Sequence, residues 1–159
     1  MSDVASASGG LVKRGAGTVV LNAANKSYTG TTRLEGGTLD LDGTTIRDVR
    51  LAGSGGRVAN GTLASPVVDV SLANEIGLPV FDAATVSLTG TGKIDFGRGE
   101  GDPLEEDVFY PFATYTGAAP TIAWRAQNTG LKSVRVVVVA QDGVLSAKLV
   151  RSGAMLFVW

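Results

Sequence analysis

Residues 10–41 read GLVKRGAGTVVLNAANKSYTGTTRLEGGTLDL, alternating apolar and polar residues between short breaks of glycine, asparagine and aspartate. An apolar residue at every second position indicates a β-strand with one face in a core. The pattern predicts strands over 18–21, 31–35 and 38–41, the last with Leu39 and Leu41 on one face. Nothing in the stretch has the periodicity of a helix, so it favours an all-β fold.

Further short strands are predicted at 46–51, 57–63, 67–72, 85–88 and 94–96, and 71–76 is compatible with one helical turn. The dipeptide Gly-Thr recurs at positions 17, 30, 37, 43, 61 and 90, irregularly spaced, which indicates a degenerate repeat. Strands of three to five residues between tight turns are typical of a solenoid whose rungs bend sharply at their corners. The alternative is a glycine-rich sandwich or jelly roll.

A family resemblance rests on the order and spacing of six short motifs. They are GAGT at 15–18, VVLN at 19–22, AN at 24–25, YTG at 28–30, TT at 31–32 and GTL at 37–39. Over residues 9–43 they resemble the passenger-associated β-strand repeat of autotransporter-like proteins. Two departures occur: Ala24 replaces a glycine, and Lys26 with Ser27 supplies two residues where one is usual.

The resemblance implies a right-handed parallel β-helix in a longer, exported protein, secreted or on the surface of a Gram-negative-type bacterium. It implies no catalytic residues, because the repeat is a scaffold element. The favoured function is therefore a non-catalytic structural module at the end of a larger passenger. The alternative is a carbohydrate-binding accessory domain of a secreted polysaccharide-active enzyme, with glycans as partners.

The amino-acid composition limits the reactions and metal sites that the chain can support. The 159 residues are enough for one domain with a core; 44% are hydrophobic and 18% charged, which argues against disorder. Cysteine and histidine are both absent, which removes disulfides, the usual zinc, copper and haem ligand sets, and the commonest general base. No stretch is long and apolar enough for a transmembrane segment.

Three regions are expected within this chain: a disordered or artificially added leader at 1–9, a β-helical repeat region at 10–101 and a capping segment at 102–159. The acidic run EGDPLEED at 100–107 marks the boundary between the repeat region and the capping segment. It is interpreted as a solvated loop, with a calcium site as the alternative. Formal charge is −5 over residues 1–107 and +4 over 108–159. The few basic residues of 108–159 are scattered between apolar strands, which does not indicate nucleic-acid binding.

The capping segment contains the longest predicted strands, 133–140 and 144–150, joined by Gln141-Asp142-Gly143. Asp-Gly is a strong hairpin signal because both turn positions accept positive φ. The apolar run 136–139 predicts a strand buried on both faces. We expect this antiparallel hairpin to cover the open end of the stack, with Phe109, Tyr110 and Phe112 sealing the cap. Trp159 is expected to fill a gap in the core or at the edge.

Tyr28, Tyr110, Tyr115 and Trp124 are the candidate glycan-contact residues, because an aromatic face can stack on a sugar ring. Packing in the core or at corners is the alternative for each. The aspartates in or beside strands, which could accept sugar hydroxyls, are Asp40, Asp42, Asp69, Asp82 and Asp95.

A third function, polysaccharide cleavage, would need two carboxylates at a set separation. The pairs Asp40 with Asp42 and Asp69 with Asp95 are conceivable, and period-2 spacing places the first pair on one strand face. Solvated, outward-facing carboxylates explain both pairs equally well. We therefore expect no catalytic residue, no cofactor and no metal beyond the calcium alternative.

Overall fold

Short strands and the turns between them make up the fold, in a computed structural model that describes residues 10–21, 30–71, 79–102 and 108–153. Every regular element within these ranges is a β-strand, which confirms the all-β expectation. The helical turn predicted at 71–76 lies, apart from Ser71, outside the described residues.

Six strands form one sheet, here called sheet A, in which every pair is parallel. In spatial order they are β1 (Leu11–Lys13), β3 (Thr32–Leu34), β6 (Arg50–Gly53), β8 (Val67–Asp69), β10 (Thr91–Asp95) and β12 (Ala123–Gln127).

The remaining strands form sheet B, which is parallel as far as β11 and antiparallel beyond it. In spatial order they are β2 (Thr18–Val20), β4 (Thr38–Asp40), β7 (Gly56–Ala64), β9 (Phe81–Thr89), β11 (Tyr110–Thr114), β14 (Val144–Arg151) and β13 (Val134–Gln141), with β5 (Thr45–Arg47) paired to the second half of β7.

The chain crosses from one sheet to the other and back, so strands that pair in parallel are not neighbours in sequence. Leu11 pairs with Thr32 and Val19 with Leu39, which are 21 and 20 residues apart. Inward side chains of the two sheets meet in one hydrophobic cluster. Its fully buried members include Leu34, Leu51, Val68 and Ile94 from sheet A, and Leu39, Val58, Phe81 and Phe112 from sheet B.

Corner residues with positive φ lie above one another in successive circuits. Asp48, Ser65 and Gly90 have φ of 50°, 51° and 74°. The Asp48 N–H donates to the Ala64 carbonyl at 2.9 Å, and the Ser65 N–H to the Thr89 carbonyl at 2.8 Å. The single strand predicted at 46–51 is therefore wrong. The backbone turns at Asp48, so β5 ends at Arg47 and β6 begins at Arg50.

The C-terminal hairpin is confirmed: β13 and β14 pair antiparallel along their full length, and Asp142 and Gly143 have φ of 51° and 76°. The expectation that the apolar run 136–139 is buried on both faces is wrong, since all four valines are only half-buried. β13 is the last strand of sheet B, and within the run only Val136 and Val138 pack against the core.

Candidate functional site: the aspartate ladder

Four aspartates, here called the aspartate ladder, share one local structure in which the flanking apolar side chains are buried. They are Asp40, Asp69, Asp82 and Asp95. The triplets are LDL at 39–41, VDV at 68–70, FDA at 81–83 and IDF at 94–96. Each carboxylate Oδ1 accepts the backbone N–H two residues ahead, at 2.8 Å for Asp40, 3.0 Å for Asp69 and Asp82, and 2.9 Å for Asp95. Alternation sends the flanking residues into the core and points the aspartate outward, where it holds the backbone just ahead of it. For Asp40, Asp69 and Asp95 that backbone leaves the strand, whereas for Asp82 it lies within β9.

Two of the four aspartates, Asp69 and Asp95, lie on sheet A. They belong to a group of side chains, here called the Arg50 cluster, that also includes Arg50, Gln127 and Asn128. Asp69 and Asp95 are register partners, and Gln127 is the next partner along. Arg50 lies in an earlier circuit and donates from Nη2 to Asp69 Oδ2 at 2.8 Å and from Nη1 to Asp95 Oδ2 at 2.6 Å. One guanidinium therefore bridges two stacked carboxylates and offsets part of their mutual repulsion.

The Asp95 carboxylate is fully enclosed, with 0% of its side chain exposed. Oδ2 also accepts from Gln127 Nε2 at 3.0 Å and from Asn128 Nδ2 at 2.8 Å. Burial opposes ionisation, but the hydrogen bonds outweigh it, and the pKa of Asp95 lies below its ordinary value. Asp95 is thus a charged acceptor with every oxygen occupied, which suits a structural crosslink and not proton transfer.

Sheet B carries a second pairing of the same kind. Arg57 Nε donates to Asp82 Oδ2 at 2.8 Å, and Thr114 Oγ1 donates to Asp82 Oδ1 at 3.0 Å. The three residues are register partners on β7, β9 and β11. Partial burial raises the pKa of Asp82, yet the hydrogen bonds from Ala84, Arg57 and Thr114 bring it below the ordinary value.

At the N-terminal end, a buried lysine connects two successive circuits, as the arginines do further along the sheets. Lys13 Nζ donates to the carbonyls of Arg14 and Gly15, each at 2.7 Å, and to that of Gly36 at 3.2 Å. Its ammonium holds the turns of two successive circuits together. Beside it on the surface, Glu35 pairs with both Arg14 and Arg33.

The structure does not gather the candidate glycan-contact aromatics into one surface. Tyr28 lies outside the described residues. Tyr110 is 5% exposed, packs edge-on against Phe96 at 5.3 Å between ring centroids, and receives a hydrogen bond from Arg98 at 3.2 Å. Its ring face is enclosed by protein.

Trp124 and Tyr115 are half-buried and both pack against the core. The Trp124 ring lies against Phe112, with centroids 4.9 Å apart, and covers Gly92, where a Cβ would collide with it. The expectation that Phe109 fills the cap is wrong, because its side chain is 48% exposed while Phe112 is fully buried. Trp159 lies outside the described residues, and a glycan contact by any of the four candidates stays a prediction.

Of the two carboxylate pairs, Asp40 and Asp42 form a turn in which the Asp42 N–H donates to Asp40 Oδ1. The interpretation of the second pair as solvated is wrong for Asp95, which the Arg50 cluster encloses.

The acidic run is only partly described. Asp102 Oδ2 accepts the Gly99 N–H at 2.8 Å, while 103–107 lie outside the described ranges. Across those ranges no group of three or more metal-ligating side chains converges, and calcium binding stays a prediction.

Taken together, the strands define an all-β protein built on two largely parallel sheets. Comparison with known families finds that residues 11–41 match the passenger-associated-transport-repeat family, which confirms the resemblance for that stretch. The match implies a passenger-associated region of an autotransporter-type protein. No curated protein and no solved structure matches the chain. The part of the chain that the structure describes contains no helix able to cross a membrane.

Sequence reasoning found the aspartates but missed their partners, chiefly Arg50, Gln127 and Asn128. A local signal was present, because an aspartate between two apolar residues occurs in all four triplets. The partners carry no such signal, since Arg50 is 45 residues from Asp95 in the chain.

Proposed function

We propose that the chain is a non-catalytic structural module, a short right-handed parallel β-helix that forms an end piece of an exported passenger. The observation that carries this proposal is the alternation of strands between two sheets, in which every pair as far as β11 and β12 is parallel. That path is the one a solenoid requires, and right-handed crossovers are the strong rule for parallel strands. The passenger-repeat match at 11–41 covers its first strands.

The N-terminal edge supports the idea that more of the stack precedes these strands in a longer parent chain. Within the described residues, β1 and β2 each pair on one side alone. Val12, Val19 and Val20 on these two strands are 51%, 38% and 51% exposed. Apolar side chains beside unpaired strand edges are what a further circuit of the same kind would cover.

The C-terminal end supports a closing role for the last strands. Parallel pairing continues past residue 101, to β11 and β12, and the antiparallel strands β14 and β13 then extend sheet B. We place the repeat region at 10–101 and the capping segment at 102–159, with the hairpin as its outermost part.

A scaffold role also accounts for the aspartate ladder. Each described aspartate of the four triplets is engaged in holding a turn or an arginine, and Asp95 has no oxygen left for a substrate. We further propose that the protein acts outside a Gram-negative-type cell, secreted or at the surface, and the passenger-repeat match supports export.

An added circuit tests the module directly. A second copy of 10–30 placed ahead of Gly10 should pair with β1 and β2 and raise the urea midpoint, because solenoid stability grows with each added repeat. A scrambled version of the same insert is the matched control. An equal midpoint for the two insertions would refute stacking at this edge.

A further inference from the structure

Four large hydrophobic side chains are exposed in the described ranges. A further circuit stacked on the N-terminal edge would cover three of them, the valines of β1 and β2. It would not cover Phe109, which lies at the opposite end of sheet B and is 48% exposed. An exposed aromatic ring that no further circuit would cover needs another explanation.

Phe109 belongs to the outer face of β11, β14 and β13. It directly precedes β11, where Tyr110 pairs with Ala147, and this register brings it beside Lys148. The Lys148 ammonium lies 5.2 Å from the centre of the ring. A cation beside an aromatic ring favours one orientation of that ring, and nearly half of Phe109 stays open.

Beside the ring lies a shallow cavity of about 330 Å³, here called the Phe109 shelf. Its lining residues are Phe109, Val139, Gln141, Asp142, Val144 and Ser146. Register pairs Val139 with Ser146 and Gln141 with Val144, so these side chains share one sheet face. A register shift between Pro111 and Ala113 interrupts the ladder next to the shelf, as bulges do where a strand is bent.

We propose that the Phe109 shelf is a binding site for a neutral saccharide, with the apolar C–H face of a pyranose ring on Phe109. Its volume lies at the small end of the range for ligand pockets. The rim offers an amide, a carboxylate and a hydroxyl, which together can donate to and accept from adjacent sugar hydroxyls. A binding role of this kind goes beyond the structural module, and its failure would leave the module proposal untouched.

The polar rim favours a saccharide over a protein partner. Protein segments that bind sheets through main-chain hydrogen bonds use the strand edge, whereas the shelf lies on the face. Gln141 and Asp142 form its most exposed side, next to the hairpin turn. A hydroxyl-rich ligand satisfies these groups without burying them unpaired.

The test is titration of the whole chain, by calorimetry and by amide chemical shifts, with cellohexaose, maltohexaose and chitohexaose as probes. We expect at least one probe to bind and to shift the amides of 109 and 139–146. Phe109→Ala should weaken binding about tenfold, and Phe109→Trp should retain it. Asp142→Asn preserves the turn, since asparagine accepts the same φ, and should weaken binding through the lost carboxylate.

The matched control is Val20→Ala, at the other end of sheet B, which should bind as the unaltered chain does. Absence of binding by all three probes would overturn the proposal. So would binding that Phe109→Ala leaves unchanged, or a Phe109-dependent self-association seen by sedimentation with no probe bound, which would make the shelf a protein interface.

Discussion

At the scale of single residues, the fold depends on a carboxylate that is buried and still charged. Asp95 draws donors from β6, from β12 and from the turns that follow β10 and β12. One oxygen atom, Oδ2, accepts three of these hydrogen bonds. A buried charge with this many partners is tolerated, whereas the loss of the charge leaves several donors without an acceptor.

Replacing the carboxylate measures that dependence. Asp95→Asn should lower the free energy of unfolding by about 2–3 kcal/mol, because the amide is uncharged and has one acceptor oxygen in place of two. Its NH2 group must then face either the Gly97 N–H or the three donors that meet at Oδ2. Asp142→Asn is the control, being an exposed turn position that tolerates either residue. Equal urea midpoints for the two variants would show that the cluster adds no stability.

The lowered pKa values of Asp95 and Asp82 predict a pH dependence with a definite sign. Both carboxyls stay ionised in the folded state at a pH where the unfolded chain, with a pKa of about 3.9, already binds protons. Their contribution is therefore complete well above pH 4 and is lost as the pH falls through the folded pKa. The stability gap between the unaltered chain and Asp95→Asn should narrow from pH 7 to pH 3. A constant gap in urea titrations would contradict this.

At the scale of elements, the strands are very short, so the turns decide whether successive circuits stack. Gly37 has φ of 66°, and a Cβ there would collide with the carbonyl oxygens of Gly15 and Gly17 in the preceding turn. Gly43 has a similar φ of 70° with nothing within 4 Å of a Cβ. Both glycines therefore need a left-handed backbone, but only Gly37 also needs the space that a Cβ would occupy.

Replacing each glycine with alanine measures the cost of the strained backbone and the cost of the collision separately. Gly43→Ala should cost about 1 kcal/mol from the left-handed backbone alone. Gly37→Ala should cost about 3 kcal/mol or more, because the neighbouring backbone must also move. Thermal unfolding of both variants provides the comparison, and equal losses would mean that the turns at Gly15 and Gly37 do not stack as described.

Short-range features of these elements could be predicted from the sequence, and long-range ones could not. The hairpin at Asp142-Gly143 and the buried face of Leu39 and Leu41 depend on a few adjacent residues. The break at Asp48 was missed because the surrounding residues alternate without glycine. The Arg50 cluster depends on register between circuits, and Gln127 is 32 residues from Asp95.

At the scale of the whole molecule, the two ends of the described sheets differ. The N-terminal strands expose valines and pair in parallel, whereas the opposite end of sheet B is extended by the antiparallel strands β14 and β13. This asymmetry supports the proposed end piece, in which further circuits precede β1 and the hairpin lies at the other end.

Deleting 133–159 tests the hairpin's role. The deletion exposes the β11 edge that β14 covers, along with Phe112 and other core residues, so the shortened chain should oligomerise or precipitate. Light scattering and sedimentation report the outcome. A shortened chain that stays monomeric would show that the hairpin is not the cap.

As far as β12, and apart from β5, the chain alternates between two sheets, so that parallel pairing skips the next strand in sequence. Because the chain has no cysteine, disulfides between introduced cysteines report pairing cleanly. Lys93 and Arg125 are register partners on β10 and β12, so the double variant Lys93→Cys/Arg125→Cys should oxidise readily, whereas Lys93→Cys/Ala123→Cys, two residues out of register, should not. Failure of the first pair to form a disulfide, or equal oxidation of both, would contradict the parallel two-sheet path.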